Sequence, residues 1–554
     1  MTEIDLSIFE FDENTTPEMY RTKLVSAHRA MLSVFEKNVL LEGDKALLLQ
    51  KLYGKSSEKK KRSGKLSQTL ELLQQVFDEA VVNADDTSAD TENEEITSEP
   101  ISENADLDSA VSNAFLAEPI DKNTSSPKRG RKRLPNHFFR ENVIHDLSDA
   151  EKQCACGCQL SKIGEEVSEQ LEVIPAQLKV LRHVRYKYAC RGCEEGVKIA
   201  PVPVQPIPKG IPTAGLLSHV CVAKYDDHLP LYRQAEIWQR LGVDLSRSTL
   251  SSWVLQVGNL LKPLIPLLQN HLVQSGYVKA DETTTQVLRE PGRAATSTSY
   301  MWLYMTGNLP NPAIVYEYQA TRHGEHAVTF LKGFKGTLQT DGYSGYHSVT
   351  GSQDVISAGC FAHARRKFHD VWVVLKKDGV ASKALETIAK LYEIERWMQD
   401  QTLSPDQIKV YRQDKSKPIC EAFQAWLLDL KPKVPPKSPL GKAIFYTLNQ
   451  WEPLTCYLND GHLSIDNNAA ERQIRPFTIG RKNWLFMGSV AGAKAASVIY
   501  SLIETAKANG LNPTDYLKVV LEQIPTMSPG DSVAYSTLLP WNVTLQPTTE
   551  IPSS

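Results

Sequence analysis

Three acidic residues, far apart in the chain, are of a type and in settings suited to holding divalent cations. They are Asp281 in YVKADETTTQVL, Asp341 in TLQTDGYSGY and Glu471 in DNNAAERQIRPFTIGRKN. Side chains alternate along a strand, so Asp281 and Glu282 point to opposite faces. A carboxylate buried mid-strand without a partner is costly. Asp341 ends an apolar strand and precedes a glycine turn. Between the two aspartates the pattern predicts two further strands, SYMWLYMTG and AIVYEYQ, then a helix, RHGEHAVTFLKGF, and then the strand that leads to Asp341. That topology sets both carboxylates side by side on adjacent central strands, as in an RNase H-like core. Two such groups do not both ionise comfortably unless a cation neutralises them, which makes Mg2+ (or Mn2+) the natural occupant. Taken singly, each aspartate reads equally well as a turn or edge residue; the joint placement carries the expectation.

The third acid sits in a basic setting. Asp466 is a good N-cap, which predicts a helix from Asn467 to Arg475, ending before Pro476. Asn468, Glu471, Arg472 and Arg475 then share a face. Glu471 completes the ligand set, and Arg472, Arg475, Arg481 and Lys482 approach phosphates around it. Asp466 competes for the ligand role, but capping accounts for it. In CFAHARRKFHD, which follows the fifth predicted strand DVISAG, His363, Arg365, Arg366 and Lys367 open a helix, and a helix N-terminus favours phosphate. A satisfied surface histidine is the other reading of His363.

Other motifs add ways to grip a polyanion. Cys154-x-Cys156 and Cys190-x-x-Cys193 form two close pairs, the pattern of a four-thiolate structural zinc site. Cys158 leaves open whether CxC or CxxxC supplies the first pair. Cys221, Cys360 and Cys420 have no local partner and read as buried thiols. In LYRQAEIWQRLGVDLSRSTLSSWVLQVG, two short helices flank a Gly-centred turn, the helix-turn-helix layout, with Arg247, Ser248 and Thr249 at the exposed start of the second helix. An ordinary helical hairpin satisfies the same pattern.

The formal charge of −3 would argue against a nucleic-acid partner if it were evenly spread. It is segregated: Asp85 to Asp121 holds about a dozen acids and no Lys or Arg, and the remainder is positive by roughly nine charges. Residues 18–53 carry apolar positions near the 3.5–3.6 period and predict an oligomerising, coiled-coil-like helix. Residues 83–126 have the composition of a disordered linker, and PKRGRKRLP follows as a basic hook. No apolar run approaches the ~20 residues of a membrane span, and the acidic N-terminus lacks a secretory pattern. These features predict a cytoplasmic protein with no membrane partner.

Together the motifs resemble the insertion sequence 66 family of DDE transposases. The resemblance runs through LYGKSSEK, CACGC, SEQLEVIPAQLKVLRHVRYKYACRGC, KYDDHLPLYRQ, LSRSTLSSWV, ADETTTQVL, LQTDGYSGY, CFAHARRKF, DNNAAERQIRPFTIGRKNWLF and SLIETAKANGLNPTDYL. It implies an N-terminal leucine-zipper-like segment, a zinc-finger module, a helix-turn-helix region and an RNase H-like catalytic core with a helical insertion between the second Asp and the Glu. It also implies action on bacterial nucleoid DNA, through binding to the terminal inverted repeats of a mobile element and to target DNA, with accessory proteins from the same element. Carried over by motif, the triad is Asp281, Asp341 and Glu471. DETTT stands where DETP is commoner, and Cys158 where glycine is usual.

The expected organisation is multidomain α/β. Residues 1–82 are helical and zipper-like, 83–135 linker, 136–205 zinc module and 206–272 the helix-turn-helix region. Residues 273–370 form the first part of the core, 371–460 the insertion, 461–525 the last part of the core and 526–554 an irregular tail. The chemistry expected is metal-dependent phosphoryl transfer without a covalent protein–DNA intermediate. A non-catalytic DNA-binding regulator and a structure-selective nuclease are the competing readings. Divalent-metal-dependent nicking separates the first from a transposase, and dependence on the inverted repeats separates the second.

Overall fold

The computed structural model describes residues 178–189, 197–375 and 378–545. The expected zipper helix, acidic linker, basic hook and cysteine clusters lie outside these residues. The chain divides into two compact units at about Val202/Pro203. In the smaller unit, β1 (Lys187–Ala189) and β2 (Val197–Ile199) form an antiparallel ribbon in the register Tyr188↔Lys198. Cys190 and Cys193 fall in the sequence connecting these strands.

Among its described residues the larger unit begins with four α-helices: α1 (Ala214–Tyr225), α2 (Leu231–Arg240), α3 (Arg247–Leu261) and α4 (Ile265–Gln274). Gly242, at φ +81°, supplies the left-handed residue that turns α2 toward α3. Ser246 caps α3 by accepting the Thr249 amide at 3.1 Å. Leu250, Trp253, Val254 and Val257 bury one face of α3. The predicted helix-turn-helix layout is present.

A five-stranded sheet follows, in the order β5-β4-β3-β6-β7. β3 (Tyr277–Gln286), β4 (Thr298–Thr306) and β5 (Ile314–Gln319) are antiparallel neighbours. β6 (Gly336–Gln339) and β7 (Val355–Ala358) run parallel to β3 on its other side. The run Met301-Trp302-Leu303-Tyr304 is wholly buried, as expected of a strand covered on both faces. Between β5 and β6, α5 (Glu325–Phe330) is shorter than the predicted helix. Gly324 packs so closely on Gly345 that an added Cβ would lie 2.1 Å from its carbonyl oxygen, and Gly333, at φ +84°, lies beyond the other end.

After β7 come α6 (Phe361–Leu375), α7 (Val380–Asp400), α8 (Pro405–Tyr411), α9 (Lys417–Leu430) and α10 (Pro439–Asn449). All but α8 share a separate core built around Phe361, Phe368, Leu385, Ile388, Phe423 and Ile444. Arg412, 3% exposed, closes it: its guanidinium bonds both carboxylate oxygens of Glu395 (2.8 and 2.6 Å) and the carbonyls of Tyr457, Asp460 and Leu463. The segment returning to the sheet is thereby fixed. α11 (Asn468–Trp484), α12 (Val490–Ala508) and α13 (Pro513–Gln523) follow.

α12 protects the sheet edge. Along β5, the Ser501 hydroxyl accepts the Tyr316 amide at 2.8 Å and the Thr505 hydroxyl accepts that of Ile314 at 3.0 Å. Two hydroxyls one helical turn apart thus cover backbone groups that an open edge leaves unpaired. α12 also carries α3, because Gly258 lets the helices approach to van der Waals contact with Ala495.

Two expectations need correction. The helix expected to end before Pro476 runs through it to Trp484. Proline removes one intrahelical bond, and the carbonyl that loses its partner belongs to Arg472, an exposed residue. The tail is not irregular from its start. Residues Ser532–Ser536 are helical, Tyr535, Leu538 and Leu539 join the main core, and the Tyr516 hydroxyl donates to the Leu538 carbonyl at 2.9 Å. The Ser, Pro and Gly turn signals around this short apolar segment obscured its packing.

Candidate active site

Parallel pairing of β3 with β6 sets the first two acids. The last paired positions are Lys279 and Gln339, and each aspartate lies two residues further along its own chain. Asp281 and Asp341 therefore leave adjacent strands at the same level. Asp281 Oδ1 accepts the Glu282 amide at 2.9 Å. Asp341 Oδ1 accepts the Tyr343 amide at 2.8 Å in an Asx turn, and Gly342, at φ +89°, permits the turn that follows β6. The Tyr446 hydroxyl holds the Asp341 carbonyl at 2.6 Å.

Glu471 is brought in by the first turn of α11. The buried Asn467 donates its side-chain amide to the Ala280 carbonyl on β3 at 2.9 Å and its backbone amide to Cys360 Sγ at 3.2 Å. Lys279, 1% exposed, donates to Ser464 Oγ at 2.9 Å. Asn468 turns to Asp466, donating through its backbone and side-chain amides at 3.1 and 2.9 Å. The N-cap is Asn467 and not Asp466 as expected; Asp466 sits one residue earlier, where it anchors the helix start through Asn468 and accepts the Tyr392 hydroxyl at 2.8 Å. The two adjacent amides serve as staples.

Arg366 Nη2 reaches Glu471 Oε2 at 3.2 Å, and His363 Nδ1 lies 3.5 Å from Oε1. The electrostatics are those of crowded acids. Burial, reinforced by Glu282, Glu471 and Asp341, pushes the Asp281 carboxyl well above the usual carboxylate range. Burial also raises Glu471, with Arg366 opposing and Asp466 and Asp341 adding to the rise. Burial and the adjacent Arg366 pull His363 down to about 4, so its imidazole is neutral near pH 7.

Behind the acids lies a group that motif reasoning missed. Glu282, on the opposite face of β3 as alternation requires, is bonded by Arg322 Nε and Nη2 (2.8 and 2.6 Å) and by the Tyr346 hydroxyl (2.5 Å). Its position next to Asp281 was visible in sequence; the identity of its partners, which come from loops on either side of α5 and β6, was not.

The basic residues separate into distinct groups. Arg247 and Ser248 are exposed and Thr249 half-buried at the start of α3. Arg366 faces Glu471, and Lys367 lies 4.6 Å over the Tyr446 ring. Arg472 and Lys482 are exposed and Arg475 half-buried. Arg481 is engaged by β3 through the Thr284 carbonyl and hydroxyl, the latter at 2.8 Å, so it ties α11 to the strand. Arg365 is a correction. It is 5% exposed, flanked by the buried Ala364 and close to Tyr392, and so is not part of an exposed basic patch. On a 3.6-residue period, position 365 points away from 363 and 366, a distinction lost when four basic residues are read as one patch.

Comparison with known proteins was made against this geometry. Residues 209–495 match the model described as Transposase IS66 family, 151–194 the zinc-finger binding domain of transposase IS66, and 501–541 the IS66 C-terminal element. Residues 40–143 match the model described as Transposase C of IS166 homeodomain. Three relatives come from Sinorhizobium fredii (strain NBRC 101917 / NGR234). Uncharacterized protein y4jD is 39% identical over 422 residues, 74% of this chain and 81% of the relative. Uncharacterized protein y4qI is 37% identical, covering 76% and 79%. Uncharacterized protein y4hP is 34% identical, covering 71% and 74%. No solved structure matches the chain.

Proposed function

The chain belongs to the IS66 family of transposases, and from that premise we propose that it is a DDE-type DNA transposase with Asp281, Asp341 and Glu471 as its catalytic acids. It would bind the terminal inverted repeats of a bacterial insertion sequence, cut there and join the ends to target DNA. The sheet order β5-β4-β3-β6-β7, with the last two strands parallel to β3, supports an RNase H-like core. The observation that carries the proposal is geometric: parallel pairing of β3 with β6 sets Asp281 and Asp341 at one level on adjacent strands, and the Asn467 bond to the Ala280 carbonyl brings the first turn of α11, with Glu471, against that strand. An all-oxygen, acid-rich donor set of this kind fits Mg2+ or Mn2+. Bound there, such ions would supply Lewis-acid activation of the nucleophile and stabilisation of the leaving oxygen.

The chain's own groups do the positioning. Arg366 holds Glu471 by one oxygen. His363, neutral near pH 7, lies beside Glu471 without adding a charge to the acids. Arg247, Ser248 and Thr249 stand at the start of the second helix of the helix-turn-helix, the first two exposed, and Arg472, next to Glu471, and Lys482, toward the other end of α11, offer exposed cations. A structural zinc would sit on Cys154, Cys156, Cys190 and Cys193, supported by the zinc-finger match. Action in the cytoplasm, on nucleoid DNA, as an oligomer and with accessory proteins of the same element completes the proposal. Among the described residues, no helix is long and apolar enough to cross a membrane.

The deciding assay combines the purified full chain, labelled element ends and Mg2+, with sequencing of cut and joined products. Asp281→Asn, Asp341→Asn and Glu471→Gln should each abolish cleavage while end binding persists. Cleavage retained by a variant removes that residue from the triad. Binding without cleavage by the unmodified chain favours a regulator, and cutting independent of the end sequence favours a nuclease.

A further inference from the structure

We propose that Cys360, His363 and Glu471 form a second metal site, distinct in chemistry from the all-oxygen cluster, that takes zinc and withdraws Glu471 when occupied. One ligand atom from each residue lies within 4.8 Å of the other two. Cys360 immediately precedes α6 and His363 lies in its first turn, so a C-x-x-H spacing at a helix start aims sulfur and nitrogen together, and α11 brings in the oxygen. Zinc bonds of about 2.0–2.3 Å in a tetrahedron place ligand atoms roughly 3.3–3.8 Å apart, a contraction that side-chain rotation supplies.

Two independent features point to an ion. His363 Nδ1 and Glu471 Oε1 are buried without a hydrogen-bond partner and face each other at 3.5 Å, a state a shared cation relieves. Cys360 Sγ, wholly buried, accepts the Asn467 amide at 3.2 Å, which fixes the sulfur beside the other two ligand atoms; burial holds the thiol protonated, so it is the metal that must displace the proton. On binding, the Cys360 S–H bond breaks as the S–Zn bond forms, and the proton passes to solvent. A sulfur, nitrogen and oxygen set selects zinc over Mg2+, which prefers oxygen alone. Arg366 occupies the other oxygen of Glu471 and leaves Oε1 available.

Inhibition by zinc rests on the proposed catalytic role of Glu471; zinc binding does not. The full chain, Cys360→Ser and His363→Gln are equilibrated with buffered zinc, and bound metal is counted beside thermal melting. Each variant should carry one equivalent less than the unmodified chain, the cysteine-cluster zinc being untouched. In the cobalt-substituted protein the thiolate-to-metal absorption should fall in Cys360→Ser. If Cys360→Ser fails to fold, His363→Gln decides. Unchanged zinc content in a folded variant overturns the site. Zinc titrated into Mg2+-supported cleavage should inhibit the unmodified chain at a concentration about tenfold lower than Cys360→Ser, and equal inhibition overturns the withdrawal of Glu471. Absence of any Mg2+-supported cleavage would count against the transposase proposal, with the zinc count still deciding the site.

Discussion

Substituting Arg322 by methionine tests whether the layer behind the acids depends on a buried ion pair. The Glu282 side chain is 2% exposed and depends on two guanidinium bonds and one tyrosine hydroxyl. Removing one partner of a fully buried pair costs about 3–5 kcal/mol, because the other charge stays behind unpaired. The Arg322 side chain is 27% exposed, so solvent recovers part of that, and about 2–3 kcal/mol is expected. Glu282→Gln alone leaves a neutral acceptor for Arg322 and Tyr346 and should cost less. The combined variant strands no carboxylate, so its loss should fall short of the sum by roughly 1 kcal/mol or more. Urea unfolding of the full chain, followed by circular dichroism and repeated for all four proteins, closes the cycle. Additivity within about 0.5 kcal/mol would refute the reasoning, since the two side chains would then act independently.

Replacing Gly258 by valine should lower the melting temperature and cost about 1–3 kcal/mol, because its Cβ would meet that of Ala495 at 2.5 Å; Gly258→Ala paired with Ala495→Gly should recover most of the loss seen in Gly258→Ala. Arg247→Ala should weaken binding to element ends and make the dependence of log affinity on log salt shallower by about one, measured by fluorescence anisotropy across a salt series. Burial pushes the Glu317 carboxyl up from 4.5 to about 7, so the folded state holds this proton more tightly than the unfolded one. Its contribution to stability therefore falls as pH rises from about 4.5 to 7, and Glu317→Gln should be the more stable protein at pH 8 by on the order of 2 kcal/mol, an advantage that shrinks toward pH 5 in paired melts.

Much of the core was legible because its signals are local. Alternation in YVKADETTTQ and the continuous apolar run YMWLYM mark strands directly, and the Gly and Pro after Ala508 stop a helix as expected. The level placement of Asp281 and Asp341 followed from strand order alone. What remained hidden depends on angle and partner. Arg365 and Arg366 are neighbours in sequence yet face opposite environments. Pro476 reads as a stop unless the exposure of Arg472 is known. Cys360 read as a solitary thiol because His363, three residues on, was read with the basic residues of its helix and Glu471 arrives more than a hundred residues later. Leu538 and Leu539 were missed because their burial depends on Tyr516 from the preceding helix.

The staples at Asn467 and Lys279 have a practical consequence for anyone building on this scaffold. They set the spacing between the acid on the strand and the acid on the helix at the re-entry point, together with Arg412, Tyr392 and Tyr446, which reach the returning segment, Asp466 and Asp341 from the preceding helical region. An excursion beginning after α6 and ending at Ser464 keeps that spacing while it covers the apolar flank of that helix and still presents Tyr392, Arg412 and Tyr446 to these groups. The exposed Gln401–Thr402 turn is accordingly where a fluorescent or affinity fusion can be spliced without shifting the carboxylates.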